Sequence, residues 1–509
     1  MSVDTPAWVR DAIFYQVFPD RFARSDRIPR PGSFEPWDAA PTDHGFKGGD
    51  LLGLAERLPY LGDLGVTALY LTPVFASASN HRYHTYDYLS ADPLLGGDVA
   101  LRELLDAAHA RGMRVVLDGV FDHTGRGFWP FHHILENGLD SPYVDWFHVD
   151  RARLAAGRGL MAYPVDEEGR SVDDLGGASL DRLGYLSWWD LPALPKLNIS
   201  NPQVREHLLA VAEHWLRFGA DGWRLDVPEE IDDASFWREF RRRCRAVDPD
   251  AYLVGEIWHE AADWLTGDRF DAVMDYPLAE ALLGFTAGQR LDRRVLDFHH
   301  EYRTHVRRLD GTGFAAELER ILTLYDPDVT AVQLNLIGSH DTPRFLTLAG
   351  GDRASLRLAL LLLATLPGAP CLYYGDEIGL EGDRDPDDRR AFPWDEARWD
   401  RDLLAFTRSA LHLRLETPVL RHGATRIAGA AGDAVAIERR DAGDRWIVAV
   451  NAGEVPMPLP VAVEGSSGAR FEPWPLPGWE AVAGRSEAGI LTLTMPARSG
   501  VAGRLRAMT

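Results

Sequence analysis

Cysteine is nearly absent: Cys244 and Cys371 are the only two in 509 residues. Two thiols build neither a disulfide framework nor a zinc cluster. Positive charge is also scarce. Lys and Arg number 54 against 77 Asp and Glu, a net charge of −23. Such an acidic chain repels phosphate backbones and anionic lipid surfaces, so nucleic acid and membrane are poor partners. Neutral ligands stay open. Long hydrophobic runs are missing too. The most apolar stretch, Leu358–Leu366, stops at Pro-Gly-Ala-Pro and is too short to cross a bilayer. The chain opens without a basic segment followed by an apolar one, so no signal peptide is read and a cytoplasmic location is expected. No short-period repeat or low-complexity run is visible.

What is present looks globular. Apolar residues make up 46% and charged residues 26%, ordinary values for a chain that length alone divides into about three domains. Aromatics are plentiful, with 16 Trp, 15 Tyr and 21 Phe, many beside His, Asp or Arg. Aromatic faces stack on the C–H faces of pyranose rings, and carboxylates and Arg bind hydroxyls. Most aromatics belong in a core by default. Three loop clusters resist that reading: Trp129-Pro-Phe131-His132-His133, Tyr143 with Trp146-Phe147, and Trp188-Trp189.

Short apolar runs alternate with amphipathic stretches. The runs are Ile13–Phe18, Ala68–Phe75, Arg114–Phe121, Gly222–Val227, Tyr252–Ile257, Ala272–Met274, Val332–Ile337 and Cys371–Tyr374. Between them lie helical patterns such as Leu101–Arg111, Pro202–Phe218, Ala234–Val247 and Arg353–Leu366. Asn201 before Pro202 fits an N-cap with Pro at the first helical position. Alternating β and α units imply a parallel sheet, and eight strands suggest an α/β (β/α)8 TIM barrel. About a hundred residues separate the third strand from the fourth. A structureless loop that long is improbable, so an inserted subdomain is expected over 124–198. After about residue 420 the pattern alternates with period two, at Ala434–Glu438, Trp446–Val450 and Ile490–Met495. The expected organisation is barrel over 1–123 and 199–420, with a C-terminal all-β sandwich over 421–509.

Acidic residues gather at the C-terminal ends of the predicted strands, the face where barrel enzymes build their sites. Asp118 and His123 end the third in LDGVFDH. Arg224 and Asp226 end the fourth in DGWRLDV. Glu256 ends the fifth in LVGEIWH, and His340 and Asp341 follow the seventh in NLIGSHD. A carboxylate there costs burial energy unless it has a partner or a task. Each alone could cap a helix. Several converging at one mouth suggest glycoside cleavage, which needs a nucleophile or base and a proton donor of raised pKa. Arg224 and Asp226 are two residues apart and share a strand face. The guanidinium is expected to keep Asp226 ionised. Glu256 has no basic neighbour in its strand, and Ile257 and Trp258 would desolvate it and raise its pKa.

These stretches resemble the α-amylase superfamily of glycoside hydrolases. LDGVFDH, DGWRLDV, GEIW and IGSHD stand in that family's order at compatible spacing, with YQVFPDRF at Tyr15–Phe22 and YYGDEIGL at Tyr373–Leu380. The segment from Gly48 to Tyr88 and LPKLN at Leu194–Asn198 are similar to the cyclomaltodextrinase, neopullulanase and maltogenic amylase branch. The resemblance implies Asp226 as nucleophile, Glu256 as general acid/base and Asp341 as stabiliser of an oxocarbenium-like sugar. It implies Tyr83 stacking under the −1 sugar, and His123, Arg224 and His340 binding that sugar's hydroxyls or the nucleophile. Asp385 and Arg389 look like the pair that binds the −2 sugar. Asp118 is expected to organise Arg224.

The implied activity is retaining hydrolysis of α-1,4 bonds in maltooligosaccharides, cyclodextrins, pullulan or starch, with transglycosylation. An exo-acting α-glucosidase or a glucosyl transferase or isomerase of the same superfamily is the alternative. An inert carbohydrate-binding homologue would lack a carboxylate, and none is lacking. The chain departs from the pattern at Asp122, His84 and Val227–Glu230. The first barrel strand begins near Ala12, which leaves no room for the branch's extra N-terminal domain. A monomer with an open cleft is therefore expected. Many α-amylases bind calcium between barrel and insert. Here Asp122 could serve as a ligand, but the second position is Lys196, which has no lone pair. No cofactor is expected. A Lys196–Asp122 ion pair is expected in place of the metal, and a calcium site near Asp20 or Asp383 stays open.

Overall fold

The computed structural model describes residues 3–506, apart from 167, 173, 175, 464–467, 481 and 483. Eight parallel strands close into a barrel: β1 (Phe14–Val17), β2 (Ala68–Leu71), β3 (Arg114–Gly119), β4 (Gly222–Leu225), β5 (Tyr252–Gly255), β6 (Ala272–Asp275), β7 (Leu334–Leu336) and β8 (Ala369–Tyr373). Each pairs with the next, and β8 closes on β1. Strand side chains alternate, so one set fills the barrel and the other faces the helices. Phe14, Tyr70, Val254, Met274 and Leu336 belong to the inner cluster, whereas Trp223 and Leu225 join the outer core.

The helices between strands start where the sequence places caps. Asn201 Oδ1 accepts the Gln203 N–H at 2.8 Å, with Pro202 opening the helix Pro202–Arg217. Asp233 caps Ala234–Val247, and Asp352 caps Arg353–Thr365.

One run differs from expectation. Ala68–Phe75 is not a single strand: β2 ends at Leu71, and Phe75–Ser77 pairs instead with Thr85–Ala91 in an antiparallel ribbon. Pro73 stands at the break, where its missing N–H cannot extend a ladder. The loop of this ribbon carries Tyr83 to the barrel mouth.

The segment between β3 and β4 folds back onto the barrel through antiparallel bridges His123↔Lys196 and Phe147↔Leu197. In two of the three aromatic clusters the phenylalanines build this segment's interior, while Trp129 stays 59% exposed. Phe131 and Phe147 are buried, with ring centroids 5.0 Å apart, and Phe131 packs on Tyr185 at 4.9 Å. Tyr143 and Trp146 pack partly buried against them.

After the barrel come eight antiparallel strands: β9 (Ala424–Ala431), β10 (Ala434–Arg440), β11 (Arg445–Asn451), β12 (Met457–Ala462), β13 (Arg470–Pro473), β14 (Gly484–Glu487), β15 (Ile490–Met495) and β16 (Ser499–Arg506). Their order is β9-β10-β11-β16-β13-β14-β15-β12. Buried Arg439 on β10 ties them to the barrel by donating to the Thr365 carbonyl, while Arg414, on helix Arg401–Glu416, donates to the carbonyls of Leu366 and Gly368. These carbonyls lie at and just past the end of helix Arg353–Thr365, where partial negative charge accumulates.

Candidate active site

Parallel pairing sets the site's level. In register, Asp118 on β3 faces Arg224 on β4, and Leu225 faces Gly255 on β5. Asp226 and Glu256 follow directly on the last residues of their strands, so both emerge at one rim. Arg224 is fully buried and touches three carboxylates. Its Nη1 lies 3.0 Å from Asp118 Oδ1 and 2.9 Å from Asp226 Oδ1, and its Nη2 lies 2.9 Å from Glu256 Oε2. Glu256 therefore does have a basic partner. It comes from the adjacent strand, where sequence neighbours give no hint of it.

Burial outweighs that guanidinium. Desolvation pushes Asp226 well above the usual carboxylate range, against the pull of Arg224 and with repulsion from Glu256 and Asp118 added. Arg224 does not serve Asp226 alone: one cation is shared among three buried acids. Desolvation raises Glu256 as well, and Asp118 is pushed up to about 6. The carboxyls titrate together, so the site retains a proton at a pH where isolated carboxylates have lost theirs. Asp341 is more open, its side chain 29% exposed against 9% for Asp226 and 6% for Glu256.

Two further donors aim at Glu256. Trp258 Nε1–H reaches Oε1 at 3.3 Å, and the Val227 N–H reaches Oε2 at 3.2 Å. Val227 has φ +33°, the left-handed region that a β-branched residue rarely adopts. Strain of this kind at the residue after Asp226 marks a backbone held for a purpose.

A hydrogen-bond chain fixes the opposite side. Gln16 Nε2–H donates to His340 Nδ1 at 2.7 Å, which leaves the ring proton on Nε2. That nitrogen is 2.5 Å from Tyr83 Oη, and Tyr83 donates to Asp118 Oδ2 at 3.0 Å. Tyr70 donates to the same oxygen at 2.7 Å. Burial, with Arg389 and Arg224 nearby, pushes His340 well below its usual value, so it is neutral at pH 7. His123 stacks on Trp188 with ring centroids 5.1 Å apart. Its Nε2 and the Trp188 indole N–H are buried with no partner among the described residues, and both residues line the cavity. Such groups fit ligand hydroxyls.

The cavity at this mouth measures about 670 Å³. The nine residues expected to act in catalysis or substrate binding lie on it or directly behind it. Tyr83, His123, Asp226, Glu256, Asp341, Asp385 and Arg389 line it, while Arg224 and His340 sit beneath. Asp385 pairs with Arg389 at 3.0 Å, and Arg389 also donates to the His340 carbonyl at 2.8 Å. Sequence reasoning missed the wall formed by Phe298, His299 and His300, and missed Gln16 and Tyr70 altogether. The Phe-His-His run was the one signal for the wall. Gln16 and Tyr70 lie in ordinary apolar strands and carry none.

Lys196 Nζ lies 3.2 Å from Asp122 Oδ1 and 2.6 Å from Glu230 Oε2. It thus bridges the inserted segment to β3's end and to the segment after β4. Of 54 cationic side chains only Lys47 and Lys196 are lysines. A compact ammonium fits a spherical cation's place better than a planar guanidinium.

The alpha amylase catalytic-domain model matches residues 16–411. A cyclomaltodextrinase from a Bacillus species is 42% identical over 450 residues, spanning 88% of this chain and 73% of its own. Among solved structures, Ttha1563 from Thermus thermophilus is 46% identical with a TM-score of 0.89, covering 98% of this chain and all of its own. The native debranching enzyme of Nostoc punctiforme is 42% identical with a TM-score of 0.85, covering 99% of this chain and all of its own.

Proposed function

Because the chain belongs to the alpha-amylase family of glycoside hydrolases, we propose that it cleaves α-1,4-glucosidic bonds with retention, through a covalent glycosyl-enzyme. Its substrates on this reading are maltooligosaccharides, cyclodextrins, pullulan or soluble starch. One observation carries the mechanism: Asp226 and Glu256 rest on the two nitrogens of a single guanidinium. That spacing fits direct attack better than the wider separation that leaves room for a water.

In the first step Asp226 attacks the anomeric carbon while Glu256 gives its proton to the departing glycosidic oxygen. The C1–O bond breaks, a C1–carboxylate ester forms, and the leaving sugar departs as a neutral alcohol. The acids hold a proton between them, and in the reacting state it rests on Glu256 and leaves Asp226 ionised. Glu256, now ionised, takes a proton from water, whose oxygen attacks C1 and frees Asp226. A sugar hydroxyl in place of water gives transfer. Asp341 is the accessible carboxylate, placed to accept hydroxyl hydrogen bonds that strengthen as the ring flattens. Tyr83 offers its ring, and the unpartnered His123 Nε2 meets a hydroxyl.

The test is a product profile. β-Cyclodextrin, maltotriose, pullulan and starch are incubated in parallel and the products separated, with proton NMR following fresh product. Pullulan is included because the Nostoc relative is named a debranching enzyme. The α-anomer should appear first. β-Anomer at early times would overturn the retaining assignment.

The calcium position of the resemblance does not fit a metal here. An ammonium cannot ligate, and its charge repels a cation. The proposal is that Lys196 does the ion's work of pinning the inserted segment. Dialysis against EDTA should leave activity and melting temperature nearly unchanged. A large fall in either, restored by calcium, would refute it.

A further inference from the structure

Strand β1 places one amide among apolar neighbours. Its side chains alternate, with Phe14 in the inner cluster and Tyr15 and Val17 in the outer core. Gln16 shares the face of Phe14, so its side chain enters the barrel interior, where it is 1% exposed. In register it faces Tyr70 on β2, whose hydroxyl reaches Asp118. A buried amide costs free energy unless it is hydrogen-bonded. Gln16 Nε2 lies 2.7 Å from His340 Nδ1, and among the described residues no other group bonds that nitrogen.

The second ring nitrogen fixes the direction of this bond independently. His340 Nε2 lies 3.2 Å from Asp341 Oδ2 and 2.5 Å from Tyr83 Oη. A carboxylate only accepts, and the Tyr83 proton goes to Asp118 Oδ2 at 3.0 Å. Both neighbours therefore call for a proton on Nε2. Nδ1 is then a lone pair in need of a donor, which the Gln16 amide supplies. Three donations run one way: Gln16 to His340, His340 to Tyr83, Tyr83 to Asp118. Bonds in such a chain polarise one another. The opposite tautomer would set the Nδ1–H against the amide N–H. It would also turn the Tyr83 proton away from Asp118 and face a bare Nε2 toward Asp341.

We propose that Gln16 is a positioning residue: it selects the His340 tautomer that keeps an N–H aimed at Tyr83 and Asp341, and so holds both groups as the reacting sugar requires. The inference rests on the α-glucan reading above. Gln16 does not line the cavity and acts through His340. Tyr83 and Asp341 both line it. Their alignment matters most for the flattened, charged sugar, so the effect falls on kcat more than on KM.

The experiment has two arms. The first reads the ring proton by nitrogen NMR of wild type labelled at histidine, with His340→Asn to identify the signals. His340 should carry its proton on Nε2 and leave Nδ1 bare at pH 7. The reverse assignment would overturn the proposal even if no variant folds. The second arm measures kcat and KM on maltotriose for Gln16→Met and Gln16→Glu beside wild type, with thermal melts. Gln16→Met fills the space without a donor. Its kcat should fall about tenfold while KM changes less than about twofold, the effect of roughly one buried hydrogen bond. Gln16→Glu sets an acceptor against Nδ1. It should draw the ring proton to Nδ1 and lower kcat further than Gln16→Met does. Wild-type kcat in folded Gln16→Met, or a loss confined to KM, would overturn the positioning role while leaving α-glucan hydrolysis standing. Absence of hydrolysis of any α-glucan by wild type would instead overturn the reading on which it rests.

Discussion

Asp226→Asn is expected to lower kcat by about a thousandfold or more, because it removes the group proposed to bond to the anomeric carbon. The fold should survive. Asn presents the same carbonyl oxygen to Arg224 Nη1, now 2.9 Å from Asp226 Oδ1. It also takes one negative charge out of a site where Asp118, Asp226 and Glu256 share one guanidinium. The melting temperature should therefore match or exceed wild type. Measuring kcat on maltotriose beside a thermal melt separates lost chemistry from lost structure. Retention of more than about a tenth of the activity would mean that another group is the nucleophile.

Arg224→Leu should have the largest effect on stability. Removing the one cation leaves three buried carboxyls facing each other, a change that typically costs about 3–5 kcal/mol. That is a large share of the total stability of a protein. The loss should depend on pH in a definite direction. Without Arg224 the folded-state pKa values of these acids rise further above their unfolded values. The folded variant then binds more protons than its unfolded chain, so its stability falls as pH rises through that window and recovers as pH drops. Denaturant melts at pH 7 and pH 5 should show the gap to wild type narrowing at the lower pH. A gap independent of pH would mean that the loss is one of packing alone.

Much of this site was legible because its information is local. The third, fourth, fifth and seventh of the eight apolar runs carry acidic residues at or just past their ends, and barrel strands deliver their C-terminal ends to one face whatever lies between them. Arg224 and Asp226 share a face because side chains alternate along a strand. The helix caps at Asn201 and Asp233 needed only their own neighbours. The fate of the aromatic clusters was not local. Phe131 and Phe147 read like sugar platforms beside histidines, yet they pack on each other because the segment carrying them needs an interior of its own.

From sequence alone came the barrel, the three carboxylates at its mouth and the ammonium at position 196, which has no lone pair to ligate a metal. Those conclusions depend on periodicity, order and chemical type. Only the tertiary structure decided how charge is shared and which distant segments meet at the cavity. Arg224 reaches Glu256 because β4 and β5 are neighbours, and burial raises both acids because strands and loops from the whole chain remove water from them. Glu230 completes the Lys196 pair from 34 residues away. An edge-on contact of Trp189 with His300 joins an inserted segment to the loops after β6. Desolvation and contacts between distant segments are properties of the packed volume, and no stretch of neighbouring residues contains them.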